Sequence, residues 1–256
     1  MTISENMWKD YIARLRNINT HASELMASFI RTHPLDTEEA ILAALEYGYA
    51  LATKYGEAAA TLACMMYETI AEMSGVVVPA ATPAATASFG EVAKQIQGTM
   101  KQSSDPDKIA SAVGRLVKLA GVDTTVGNAI RDGAEWAWIP QGDTCPFCMM
   151  IASNGWRKAS KKAIKNGHAF HVHANCDCTY AVRFNGNMDV EGYDPDAIYD
   201  DMHQISREEN GGTAGSWNDI MNAYRRRNYK ANANEINEQK RINYAERKQR
   251  EKEASE

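Results

Sequence analysis

The chain of 256 residues is predicted to be mainly α-helical, with a small α+β module placed late in the sequence. Two observations carry this prediction. Apolar residues recur at helical spacing through most of the first 134 residues, and four of the five cysteines are confined to residues 145–178. We therefore expect long N-terminal helices, a helical subdomain, a zinc-stapled α+β module and a polar C-terminal helical tail.

Composition restricts the class of protein. The hydrophobic share of 44% and the charged share of 24% are those of an ordinary globular chain. No run of 18 apolar residues is present, so no membrane span is expected, and the N-terminus lacks the layout of a signal peptide. These features predict a chain kept in a reducing cytoplasm, where paired cysteines more often bind metals than form disulfides.

Residues 1–75 are predicted to form a helical hairpin. Trp8, Ile12 and Leu15 mark the apolar face of a first helix over residues 5–30. Pro34 interrupts the pattern, and Asp36 or Thr37 can cap a second helix that extends to about Met73. Residues 76–88, rich in proline and alanine, are predicted to be a linker or extended arm.

Residues 89–134 are predicted to form a helical subdomain. Its expected helices cover Phe89–Met100, Asp107–Leu119 and Thr124–Trp138, the last one running past the end of the segment. Pro106 suits the first turn of the second of these helices.

Residues 135–190 are predicted to be the zinc-binding α+β module. Alternating β-branched and aromatic residues predict a short strand around Thr179–Phe184. Residues 191–256 are predicted to be a helical tail, with a short helix from Asp194 and a second helical stretch from Trp217 that becomes partly disordered.

The cysteine cluster is the main candidate site. Cys145 and Cys148 have the two-residue spacer of a metal-binding turn, and His173 and Cys176 have the same spacing. Together they could close a tetrahedral site of three sulfurs and one nitrogen. Cys178 competes with His173 for the fourth place, because alternation in a strand puts Cys176 and Cys178 on one side. The spacing does not choose between these ligand sets.

Other chemistries fit the cluster less well than a structural metal. A thiol redox site needs a Cys-x-x-Cys at a helix start within a thioredoxin-like βαβ unit, which the surrounding sequence does not predict. A catalytic zinc would need a general base, and the His-Glu-x-x-His and His-x-Glu patterns are absent. The string HVHAN suggests an HNH-type nuclease, but no second catalytic block follows it in the sequence. Cys64, alone on a helix, is interpreted as an ordinary buried cysteine.

Charge suggests a second, weaker candidate. The net charge is −5, but residues 225–256 hold ten Lys/Arg against six Asp/Glu, a balance of +4, which leaves about −9 for the remainder. Arg225, Arg226, Arg227 and Lys230 could bind a partner or nucleic acid, although a solvated helix face explains them better. The cluster Asp194, Asp196, Asp200 and Asp201 is interpreted as a helix start.

The order of these features resembles the minor head proteins of tailed bacteriophages, in particular the phage Mu F-like or head morphogenesis group. The resemblance lies in WIPQGDTCPFCMMIASNGW, a basic spacer and HVHANCDCTYAVRF, after a helical N-terminal part. The shared pattern is C-x-x-C followed by H-x-x-C-x-C, and it covers only about 40 residues. The matching residues are Cys145, Cys148, His173, Cys176 and Cys178.

The resemblance implies a structural minor capsid protein. The sequence contains no evident protease triad or toxin active site, so we expect no enzymatic activity, and we expect no membrane or small-molecule substrate. It implies binding to the portal protein and the major capsid protein, with packaged DNA as a further partner. The protein would be made in the host cytoplasm and reside in the virion, at the capsid interior or portal vertex. The alternatives are a metal-dependent nuclease or peptidase that uses the cluster, and a zinc-finger DNA-binding protein.

Overall fold

The computed structural model describes residues 1–141, 144–160 and 178–234, together with positions 237, 238, 241 and 244. The chain divides into two compact units. The first contains Met1–Thr144 and Asn154–Asp194, and the second contains Cys145–Ser153 and Pro195–Glu256. Helices predominate in the described residues, so the predicted mainly α-helical class is confirmed.

Four helices build the first unit within the residues that the structure describes. They are α1 (Glu5–Thr32), α2 (Glu38–Met73), α3 (Phe89–Met100) and α4 (Pro106–Asp132). Their starts follow the predicted capping chemistry, since the Thr37 side chain accepts a hydrogen bond from the Ala40 amide. Helices from the predicted segments 1–75 and 89–134 share one hydrophobic core, whose most buried members include Met26, Ala44, Val92, Ile96 and Val113.

Small residues let the helices of the first unit lie close together. A Cβ at Gly121 would stand 3.3 Å from the carbonyl oxygen of Ala59, which is backbone and cannot turn aside. A Cβ at Gly48 would collide with the side chain of Ile96. The alanine- and glycine-rich faces seen in the sequence are therefore the surfaces of close helix packing.

The predicted break within residues 106–138 is wrong, because Pro106–Asp132 is a single helix and Glu135–Ile139 is a strand. The helix continues through Gly121, where the absence of a side chain permits the close contact with Ala59 of α2. The helix ends instead at Gly133, whose φ of 67° lies in the left-handed region.

The described part of the first unit contains two small sheets. Strand β2 (Glu135–Ile139) lies between β3 (Arg157–Lys158) and β4 (Thr179–Arg183), and both pairings are antiparallel. The predicted strand at Thr179–Phe184 is thus confirmed. Strand β1 (Thr2–Ile3) pairs in parallel with β5 (Asp189–Val190), which the sequence did not predict.

Residues 76–88 form no helix or strand, and the middle of this arm is held against α2 and α4. The buried Asn128 accepts from the Thr82 amide at 2.9 Å and donates to the Thr82 carbonyl at 2.9 Å. Thr124 accepts from the Ala84 amide, and Arg131 donates to the carbonyls of Pro79 and Ala80. Side chains of the helices therefore satisfy the backbone of the arm.

The second unit is built from α5 (Pro146–Ala152), α6 (Pro195–Glu209) and α7 (Trp217–Ala231). All three helices pack on one another around the buried Met202, Ile220 and Ala223. Both predicted C-terminal helical stretches are confirmed within the described range. No helix in the described ranges is both long and apolar enough to span a membrane.

Candidate metal-binding site

Cys145 and Cys148 lie together on the first turn of α5. Cys145 is the N-cap residue, and its Sγ accepts a hydrogen bond from the Cys148 amide at 3.4 Å. Pro146 occupies the first helical turn, where its lack of an N–H costs nothing. The predicted tight turn of the Cys-x-x-Cys is present, and it brings the two cysteines to one end of a short helix.

This turn has a rigid support. Cys148, Ile151 and Ala152 are buried, and α5 packs against α6 and α7 within the second unit. The backbone that carries the two thiols is therefore fixed by side-chain packing on one side of the helix.

Cys178 lies immediately before β4 in the first unit and is fully buried. The Oγ1 of Thr144 lies 3.5 Å from its Sγ, and the same hydroxyl donates to the carbonyl of Gln141 at 3.0 Å. Thr144 is the residue before Cys145 in the sequence. Sequence reasoning missed Thr144, and the only available signal was its position next to the first cysteine.

The other two predicted ligands, His173 and Cys176, lie outside the described residues. Within the part of the chain that is described, no group of three or more His, Cys, Asp or Glu side chains is arranged to hold a metal. Cys64 lies partly buried on α2, where burial and the nearby Glu68 raise its thiol pKa, as suits an unreactive cysteine.

Aromatic side chains form the core next to the predicted module. Trp136 and Trp138 project from the same face of β2, and each ring centroid lies 4.7 Å from that of Tyr180 on β4. Both tryptophans are buried. Trp156 instead lies under the guanidinium of Arg183, 4.7 Å from the ring centroid.

The predicted basic cluster on α7 faces carboxylates of α6. Arg227 pairs with Glu208 at 2.8 Å, and Lys230 pairs with Glu209 at 2.9 Å. Arg226 also contacts Glu209, at 3.7 Å. These contacts use much of the positive charge that a nucleic-acid surface would need.

Arg225 lies in the middle of α7, and the predicted acidic residues lie just before α6 or in its first two turns. Arg225 donates to the Asn222 side chain at 2.8 Å. Asp196 is in the first turn of α6, where a carboxylate stabilises the helix, and Asp194 immediately precedes the helix. This placement agrees with the interpretation of the acidic cluster as a helix start.

A second cluster in the second unit was not found from the sequence. Tyr199, His203 and Trp217 bring three aromatic rings together, with centroid separations from 4.0 to 6.0 Å. The spacing of Tyr199 and His203, one helical turn apart, was the available signal. Trp217 joins them only through the packing of α7 on α6.

Comparison with known proteins gives one result. The model of the VG15 protein family matches residues 2–205, which is most of the chain. No curated protein and no solved structure matches the chain significantly. The chain therefore belongs to the VG15 protein family, a family of viral proteins found in phages.

Proposed function

We propose that this protein is a structural minor capsid, or head morphogenesis, protein of a tailed phage or prophage. The observation that carries the proposal is membership of a phage protein family over residues 2–205. The resemblance of the cysteine motifs to those of minor head proteins adds the finer role. In this role the protein acts by binding other virion components and performs no catalysis.

The proposal includes one structural zinc ion per chain. Cys145, Cys148 and Cys176 would supply three ligands, and His173 or Cys178 would supply the fourth. The local geometry at α5 supports the first pair, because thiols that share one helical turn can reach the same ion. Zinc would tie together two loops with little apolar surface, so its binding free energy would contribute to folding.

Metal analysis tests the zinc site directly. Protein purified without chelator should contain one zinc per chain, and Cys145→Ser or Cys148→Ser should remove it. Cys64→Ser is the matched control, because Cys64 lies on α2 away from both motifs in the sequence. Absence of metal from the wild-type protein would refute the zinc site while leaving the capsid role open.

The ligand set can be resolved by a second pair of variants. His173→Ala should release zinc if the imidazole is the fourth ligand, and Cys178→Ser should release it if the sulfur is. The full burial of Cys178 and its contact with Thr144 give it a structural role in either case. Thermal unfolding of Cys178→Ser should therefore be measured beside its zinc content.

The proposed partners are the portal protein and the major capsid protein, with packaged DNA as a further contact. Co-expression with both proteins, followed by size-exclusion chromatography, should give a complex that contains this chain. Quantitative mass spectrometry of purified virions should find the chain at a few copies per particle. Failure to detect the chain in purified virions would contradict the proposed capsid role, whatever the outcome of the zinc assay.

The alternatives remain testable in the same preparations. Chelator-sensitive cleavage of DNA or protein would favour a nuclease or peptidase. DNA affinity that falls steeply with salt would favour a zinc-finger DNA-binding protein. The ion pairs of Arg226, Arg227 and Lys230 with α6 speak against this last alternative.

A further inference from the structure

The second unit displays an exposed group of aromatic rings. Tyr199 and His203 stack on α6 with centroids 4.0 Å apart, and Trp217 at the start of α7 meets His203 edge-on at 5.4 Å. Tyr199 is 42% exposed and Trp217 is 37% exposed. Two large rings thus present apolar area to solvent at one place, which is the typical make-up of a contact surface.

Carboxylates border these rings. Asp196 lies three residues before Tyr199, and Asp200 lies three residues before His203, so each is a helical neighbour of a stacked ring. Among the residues that the structure describes, neither Asp196 nor Asp200 forms a salt bridge. We call Asp196, Tyr199, Asp200, His203 and Trp217 the aromatic-acidic face.

The basic cluster of α7 does not neutralise this face, because its charges pair with Glu208 and Glu209. Arg207 lies one turn beyond His203 on α6, and the basic cluster of α7 is at the far end of that helix, where it pairs with Glu208 and Glu209. Burial, followed by the charge of Arg207, lowers the pKa of His203. Both effects favour the neutral imidazole, although the charge of Asp200 acts in the opposite direction.

We propose that the aromatic-acidic face binds a lysine- or arginine-bearing segment of a partner protein. Exposed tyrosine and tryptophan rings attract a cationic side chain through their π faces, and the two carboxylates add charge complementarity. The same carboxylates would repel a phosphate backbone, so a protein segment fits this face better than a nucleic acid. The inference is independent of the capsid role and of the zinc site.

The test uses the full chain and a defined probe. The probe is a capped peptide with four arginines separated by glycines, and its control replaces each arginine with citrulline, a neutral side chain of nearly the same shape. Binding is measured by calorimetry at 150 mM salt. The side-chain NMR signals of the tryptophan indoles report where the peptide binds.

We expect the arginine peptide to bind and to shift the Trp217 indole signal, and the citrulline peptide to bind far more weakly. Tyr199→Ala or Trp217→Leu should each weaken binding roughly two- to fivefold, the usual loss when one exposed cation–π contact is removed. Tyr199→Phe keeps a ring and should bind like the wild type, which separates a lost contact from a damaged fold.

Two further variants separate specific recognition from general charge attraction. Asp200→Asn should weaken binding, whereas Asp10→Asn, an equal charge change at an exposed position of α1, should not. Absence of binding, equal binding of the citrulline peptide, or equal effects of these two variants would overturn the proposal. So would single-stranded DNA that shifts the Trp217 signal as strongly as the peptide does.

Discussion

Replacing Asn128 with alanine should destabilise the first unit by about 2–3 kcal/mol. The Asn128 side chain makes three hydrogen bonds, two to the backbone of Thr82 in the arm and one of 2.7 Å to the Thr124 carbonyl. Each is worth about 1 kcal/mol net when both partners are removed from water. The higher helix propensity of alanine offsets only about 0.6 kcal/mol of this loss in stability.

Denaturant unfolding measures this change, with the slope checked for constancy between variants. Asn17→Ala is the matched control, because Asn17 is an exposed residue within α1 and its replacement should be neutral or slightly stabilising. Hydrogen exchange should also become faster at the Thr82 amide in Asn128→Ala. If Asn128→Ala lowered the free energy of unfolding by less than about 0.5 kcal/mol, the effect would be no larger than that of a typical surface substitution. That result would refute the proposed role of Asn128 in holding the arm.

Three other outcomes follow from the same structure. Gly133→Ala should cost about 1 kcal/mol in unfolding experiments, because Gly133 is left-handed with open space around it. The Arg131 guanidinium lowers the pKa of Asp132, so this carboxylate stabilises the fold above the unfolded pKa near 4; that contribution is lost as pH falls through the lower folded pKa. Asp132→Asn should therefore flatten the acid limb of a stability–pH curve. Glu209→Gln should change stability little, since its pairing with Lys230 is at the surface, and the effect should shrink with added salt.

The helices of the first unit could be predicted because their signals are local. Apolar spacing gave α1, and the capping residue Thr37 gave the start of α2. The course of α4 could not be predicted in the same way, because Gly121 resembles a break until the contact with Ala59 is known. Trp136 and Trp138, two residues apart, carried the period of a strand, but their place after a long helical pattern favoured continuation of the helix.

The same distinction between local and long-range signals applies to the candidate sites. The turn at Cys145 and Cys148 follows from spacing and from Pro146, so the sequence predicted it. The ion pairs of the basic cluster join residues about 20 positions apart, and only the packing of α7 on α6 reveals them. The position of Trp217 against Tyr199 depends on the same packing and was equally hidden.

The way the arm is held has a consequence for mutational tolerance. Because the hydrogen bonds of Thr124, Asn128 and Arg131 to the arm go mainly to its backbone, most substitutions at residues 80–84 should leave most of these contacts intact. The three helix residues should tolerate few replacements. A saturation mutagenesis scan that measures protein abundance should thus find most substitutions tolerated in the arm and few tolerated at the residues of α4 that contact it. Related chains should differ in the sequence of the arm while its backbone follows the same path.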